Sequence, residues 1–155
     1  MIKRIVTAHE DPVDSPAWLD LDELADVDVS SEDPAAPIEG VFSGGAPTGW
    51  RAATPGRQTI RVRFRRPIRL TRIRVTFEET ARVRTQEFVL RWRAADAASD
   101  ADIVRQQFTF APPGTTREQE EYAVDLEHAL ALELSIVPDI TGGESRATLE
   151  QLRLA

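Results

Sequence analysis

The sequence predicts an all-β sandwich domain, on three observations. Apolar residues alternate strictly with arginine over several segments, turn-rich stretches separate those segments at regular intervals, and no convincing long helix lies among them. Successive side chains of a strand point to opposite faces, so a period of two marks a strand with one buried and one solvated face. With 155 residues the chain suits a single domain able to bury a core without a disulfide or metal staple. The expectation is one β-sandwich domain over 1–155, with 1–29 a less regular acidic N-terminal segment.

The elements follow in order. Gln58-Thr59-Ile60-Arg61-Val62-Arg63-Phe64-Arg65 directs Ile60, Val62 and Phe64 inward and the arginines outward, and Arg66-Pro67 ends it. Ile73, Val75 and Phe77 repeat the pattern over 70–77, with Arg72 and Arg74 outside. Phe88, Leu90 and Trp92 form a third strand with Glu87, Arg91 and Arg93 outside. Further strands are expected at 103–110, 120–126, 130–137 and 146–154, separated by Ala111-Pro112-Pro113-Gly114 and by 138–143. The first 50 residues are looser: a short strand at 3–7, a strand or short helix at 18–24, one helical turn at 38–42, and a glycine-rich loop from Ser43 that ends on Trp50. Gly142-Gly143-Glu144 reads as a hairpin turn.

Charge is distributed in blocks. The chain carries −7 overall, but residues 1–50 carry −9, residues 51–93 carry +10 and residues 94–155 carry −8. An acidic chain is a poor general nucleic-acid binder. Its basic residues are eighteen arginines and the single Lys3, and it has no asparagine, a bias that fits a GC-rich genome. Cysteine is absent, which excludes disulfides and thiol chemistry. No stretch approaches the roughly 20 apolar residues of a membrane helix. The start turns acidic at Glu10-Asp11 and lacks the apolar core of a signal peptide, so the expected address is the cytoplasm.

The order of segments resembles the discoidin, or F5/8 type C, family of galactose-binding-domain-like jelly rolls, and with it bacterial carbohydrate-binding modules. The residues that carry the likeness are Pro37-Ile38-Glu39-Gly40-Val41-Phe42-Ser43-Gly44 with Thr48-Gly49-Trp50, the two alternating strands, Arg84-Thr85-Gln86-Glu87-Phe88-Val89-Leu90, and the closing Ala147-Thr148-Leu149-Glu150-Gln151-Leu152-Arg153-Leu154. The likeness covers roughly 30–155. It implies a jelly-roll β-sandwich that binds a ligand, often a sugar, on loops at one end. Many members hold a structural calcium with a loop aspartate and a glutamate of the last strand. Here the first position reads Ser43 or Gly44 and the second Gln151, with Glu150 beside it, so no cofactor is the expectation and a structural calcium the lesser alternative. Sugar-binding members often use an asparagine, which this chain lacks.

Four residues are candidates for a ligand site. Trp50 and Arg51 close the glycine-rich loop, where an exposed indole would stack on a sugar ring and the guanidinium would bond its hydroxyls; the alternative is a tryptophan that plugs the end of the sandwich. Arg82 and Arg84 stand in the turn before the third strand, where the resemblance implies a ligand-contacting arginine, against a solvated turn. The outward arginines of neighbouring strands would repel one another. An acidic cover is therefore expected, from the chain's own N-terminal third, from Glu118, Glu120 and Glu121, or from an acidic ligand or another subunit. His9 and His128 show no metal spacing, Asp20, Asp22, Asp26 and Asp28 lack the glycine and closing glutamate of a calcium loop, and no nucleophile elbow, P-loop or dinucleotide fingerprint occurs. The leading reading is a non-catalytic, carbohydrate-binding module that takes a carbohydrate or acidic ligand. The alternative is an intracellular protein-interaction or oligomeric subunit that keeps the fold without binding sugar.

Overall fold

The computed structural model describes residues 17–42 and 49–155; the expected strand at 3–7, His9 and the 43–48 part of the glycine-rich loop lie outside them. The order is α1 (Leu21–Leu24), β1 (Ala25–Val29), α2 (Glu39–Phe42), β2 (Trp50–Arg51), β3 (Gln58–Glu78), β4 (Arg84–Ala94), β5 (Ala101–Phe110), β6 (Arg117–Val137), β7 (Thr148–Leu149) and β8 (Gln151–Leu154). Among the described residues no helix is long and apolar enough to cross a membrane.

Alternation puts the expected side chains inside. Ile60, Val62, Ile73, Val75, Phe77, Phe88 and Leu90 are fully buried, joined by Leu132, Leu134 and Ile136 from β6. Burying each large aliphatic or aromatic side chain contributes on the order of 1.5–3 kcal/mol. Trp92, Ile103, Val104 and Phe108 are only half-buried, because β5 is the sheet edge and β4 leaves the core at its end.

Two strands are longer than the alternation suggests. The segments 58–65 and 70–77 belong to one strand, β3, and 120–126 and 130–137 to one strand, β6. The two pair antiparallel, with the register slipping between Arg63 and Arg72. Pro67 lies exposed in this irregular stretch, where a residue without an N–H is tolerated in a sheet. Near it on β6, His128 adopts φ 55° and is exposed. Arg66-Pro67 therefore bends the strand instead of ending it. The bend folds the sheet over. The first half of β3 and the second half of β6 lie in the order β1-β3-β6-β4-β5, while β8 extends the other half of β3. Across the interior, the rings of Phe77 and Phe88 meet with centroids 5.2 Å apart. The short β2–β7 pair closes one end, and the whole is a jelly-roll sandwich.

The described part of the N-terminal segment, from residue 17, holds two regular elements. Residues 25–29 form β1, paired with β3 from Ala25 opposite Phe64 to Val29 opposite Ile60. The 18–24 stretch resolves to the helical turn α1, capped by the Asp20 carboxylate on the Asp22 N–H at 3.1 Å. The turn at 38–42 is helical, as expected. The 146–154 strand is two, β7 and β8, split at Glu150, whose N–H donates to the Thr76 carbonyl at 2.8 Å. Gly142 and Gly143 adopt φ 87° and 100°, a left-handed turn that a Cβ would strain, but they connect strands that do not pair, so the turn is not a hairpin.

The acidic cover of the arginine face comes from the chain itself. Asp28 and Asp26 on β1 meet Arg63 at 2.7 Å and Arg65 at 3.1 Å. Asp100 bridges Arg61 at 2.8 Å and Arg93 at 2.9 Å, and Asp102 takes Arg91 at 2.7 Å. Glu121 bridges Arg72 and Arg74, whose guanidinium groups also lie 4.3 and 5.0 Å from the Trp18 ring. Hydrogen bonds from Arg61 and then Arg93 hold the Asp100 carboxyl below its ordinary range, against the effect of burial. Glu118 does not join this network. It points inward, 1% exposed, and accepts from the Gln86 amide at 3.1 Å.

Candidate functional site

Three connections converge at the end closed by β2 and β7: 52–57, 79–83 and 138–147. Strand alternation separates Trp50 from Arg51. Trp50 faces inward, 1% exposed, and its indole N–H donates to the Ser31 carbonyl at 3.1 Å. It plugs the end of the sandwich and presents no face for a sugar to stack on. Arg51, opposite Thr148, projects into solvent.

The 79–83 turn is organised by Glu79. Its carboxylate accepts from the N–H groups of Ala81 at 2.9 Å and Arg82 at 3.3 Å, and from the Arg84 guanidinium at 2.7 Å. Burial pushes this carboxyl up, but the Arg84 and Ala81 hydrogen bonds outweigh it and hold Glu79 below the ordinary glutamate range. Arg84 is itself buried, 2% exposed. It donates to the Pro138 carbonyl at 2.9 Å, to Gln86 and Thr148 at 3.3 Å each, and lies 4.8 Å from the Phe110 ring centroid. Its donors are engaged within the protein, so it ties β4, β7 and the 138–147 connection together beneath the turn and leaves no fork free for a ligand. Arg82, two residues earlier, is exposed.

Of the four expected residues, Arg51 and Arg82 therefore share a cleft, while Trp50 and Arg84 support it from inside. The cleft encloses about 290 Å³ and is lined by Arg51, Arg82, Arg146, Glu78, Glu144 and Thr148, with the 79–81 turn as its floor. Sequence reasoning missed Arg146. Its only signal is the one that singled out Arg82, an arginine in a turn-rich segment just before a strand. A second pocket of about 280 Å³ adjoins it, sharing Arg51, Glu78 and Thr148 and continuing over Trp50 to Glu150. Glu78 and Glu150 both lie near Arg117, at 3.8 and 3.3 Å. Burial, then the neighbouring Glu78, raises the Glu150 carboxyl. The two large apolar side chains most exposed among the described residues, Val83 (71%) and Ile140 (48%), also belong to these connections.

Only the last-strand side of the calcium position implied by the resemblance lies among the described residues. Ser43 and Gly44 lie outside the described residues; on the other side Gln151 is a neutral amide and Glu150 faces a guanidinium. Calcium favours six to eight oxygens including carboxylates. Among the described residues no group of three or more potential metal-binding side chains gathers.

No family model matches the sequence, and no curated protein does. Solved structures do resemble the fold. A CBM32 domain of AlyQ in complex with 4,5-unsaturated mannuronic acid superposes with a TM-score of 0.63 at 16% identity, over 90% of this chain and 98% of that one. The family 32 carbohydrate-binding module of NanJ from Clostridium perfringens, in complex with galactose, gives 0.59 at 12% identity over 88% and 96%. An F5/8 type C domain from Bacteroides fragilis gives 0.60 at 15% identity over 88% and 93%. At these identities the likeness is one of fold, and it agrees with the jelly roll read from the strand order.

Proposed function

We propose that this chain is a non-catalytic carbohydrate-binding module whose glycan lies in the cleft between the 79–83 turn, Arg51 and the segment around Arg146. One observation carries the reading. Every arginine of β4, and every one of β3 except Arg66, is paired with an acid of the chain, whereas Arg51, Arg82 and Arg146 have no ion pair with a described residue and line one concave site. Donor groups that no described acid engages, in a cleft on a rigid sandwich, suit a hydroxyl-rich ligand. The modules of similar fold were captured with sugars, which supports the same reading.

The non-catalytic part of the proposal rests on the carboxylates. Glycoside hydrolysis by the common route needs a carboxyl held protonated near neutral pH to act as an acid. Glu79, at the floor of the cleft, is held ionised by Arg84 instead, and Glu150, whose carboxyl is raised, lies outside this cleft in the adjoining pocket beside Arg117. The subunit reading loses one of its motives, because the arginine face that called for an acidic partner is covered by β1, Asp100, Asp102 and Glu121.

A glycan array followed by calorimetric titration tests the proposal. The parent chain is expected to bind a defined glycan set, and Arg82→Ala, an exposed substitution, to weaken that binding about tenfold or more, as loss of a charge-assisted hydrogen bond does. A parent chain that binds no glycan refutes it.

A further inference from the structure

We infer that the bound glycan carries a carboxylate: a hexuronate seated between Arg51, Arg82 and Arg146, with an uncharged sugar in the adjoining pocket beside Trp50. The inference rests on the glycan-binding reading and specifies its ligand.

The charge balance of the cleft leads to it. Glu79 is neutralised by Arg84 beneath the floor, and Glu78 lies near Arg117. Among the described residues Glu144 is the carboxylate that remains against the three arginines, so their balance in the cleft is net positive. Neither pocket offers an exposed aromatic: the only aromatic residue in either lining is Trp50, 1% exposed with its indole N–H already bonded. Affinity for a sugar must then come from polar contacts, and the strongest available to three guanidinium groups is a bidentate bond to a planar carboxylate. A neutral hexose offers these arginines hydroxyl acceptors only.

The second pocket has the opposite character. Glu78 and Glu150 share the one nearby guanidinium of Arg117 on one side of the wall, Arg51 and Thr148 stand where the pocket joins the cleft, and Ala36, Gly49, Trp50 and Leu149 supply the rest. A second carboxylate placed there would meet like charge; sugar hydroxyls would find acceptors. Because the two pockets share Arg51, Glu78 and Thr148, a ligand filling both spans adjacent residues of one glycan.

The test titrates the whole chain with three oligosaccharides matched in length: one alternating hexuronate with neutral hexose, the same with its carboxyls reduced to alcohols, and one built of hexuronate alone. The alternating probe is expected to bind tightest and to weaken as salt is raised. The reduced probe should bind about tenfold or more weakly, and Arg82→Ala and Arg146→Ala should abolish that difference. The all-uronate probe should bind several-fold more weakly than the alternating one and recover in Glu150→Gln. Equal binding of the reduced and alternating probes overturns the carboxylate, even where glycan binding itself stands. An all-uronate probe that binds as well as the alternating one overturns the uncharged neighbour. Absence of binding to any probe and to the neutral array together overturns both the inference and the reading beneath it.

Discussion

Glu118→Gln tests how well the interior is understood. Glu118 is 1% exposed; one carboxylate oxygen accepts from Gln86 at 3.1 Å and the other has no hydrogen-bond partner. Burial, opposed by the Gln86 bond and reinforced by the neighbouring Glu120, pushes its pKa up to about 7. A carboxyl whose folded pKa lies above its unfolded value is best tolerated while protonated. Its contribution to stability is fully present below the ordinary glutamate range and is lost as pH rises through about 7. With each pKa unit worth about 1.4 kcal/mol, ionisation costs the fold on the order of 3 kcal/mol at the alkaline limit. Glutamine keeps the shape and the acceptor for Gln86 but cannot ionise. The variant is therefore expected to match the parent to within about 1 kcal/mol near pH 4 and to exceed it by about 2–3 kcal/mol near pH 8. Urea denaturation of both proteins across that range measures the difference. An advantage that does not grow with pH would mean that the carboxylate is solvated in the fold, and the reasoning would fail.

Three further outcomes follow from the same structure. Trp50→Ala should cost about 3–5 kcal/mol in denaturant unfolding, as large core truncations do, whereas an exposed ligand-stacking indole would leave stability unchanged. Arg84→Met should cost about 3–5 kcal/mol by the same assay, because it strands the Glu79 carboxylate and the Pro138 carbonyl. Asp100→Asn should cost about 1–2 kcal/mol near neutral pH by removing the carboxylate shared by Arg61 and Arg93; since the folded Asp100 pKa is lowered, that contribution is present above the ordinary aspartate range and fades as pH falls through the folded value, so parent and variant should converge in acid melts.

The β-sandwich was legible because period-two burial is a local property of the chain. Ile60 to Phe64, Ile73 to Phe77 and Phe88 to Leu90 point inward as their spacing requires. The continuity of β3 through Pro67 was not legible. Whether a proline ends a strand or bends it depends on whether its partner strand is irregular at the same height, and that partner is some sixty residues away on β6. For the same reason the order suggested that Arg84 meets a ligand, although it is buried. An arginine beside an exposed turn and an arginine beneath it look alike in sequence; the difference lies in Glu79, Pro138 and Thr148, which the fold brings to it.

Charge blocks locate the site only after the fold has paired them. The middle third of the chain, at +10, lies between flanks of −9 and −8. Read linearly, it suggests a basic surface awaiting a partner. In the folded chain β1 supplies Asp26 and Asp28 from the first block, and Asp100, Asp102 and Glu121 come from the last, so the excess disappears where the strands run side by side. Individually such exposed pairs contribute little. Their consequence is to make a cluster of arginines without a described ion pair informative; Arg57, Arg66 and Arg153 also lack one, but they do not line this cleft. Arg51 on β2 and Arg82 and Arg146 on two separate connections meet in one cleft, with Arg84 holding the floor in place beneath them. Substituting any of the three should leave the sandwich standing and change only what the cleft holds, which separates them experimentally from the paired arginines of β3 and β4.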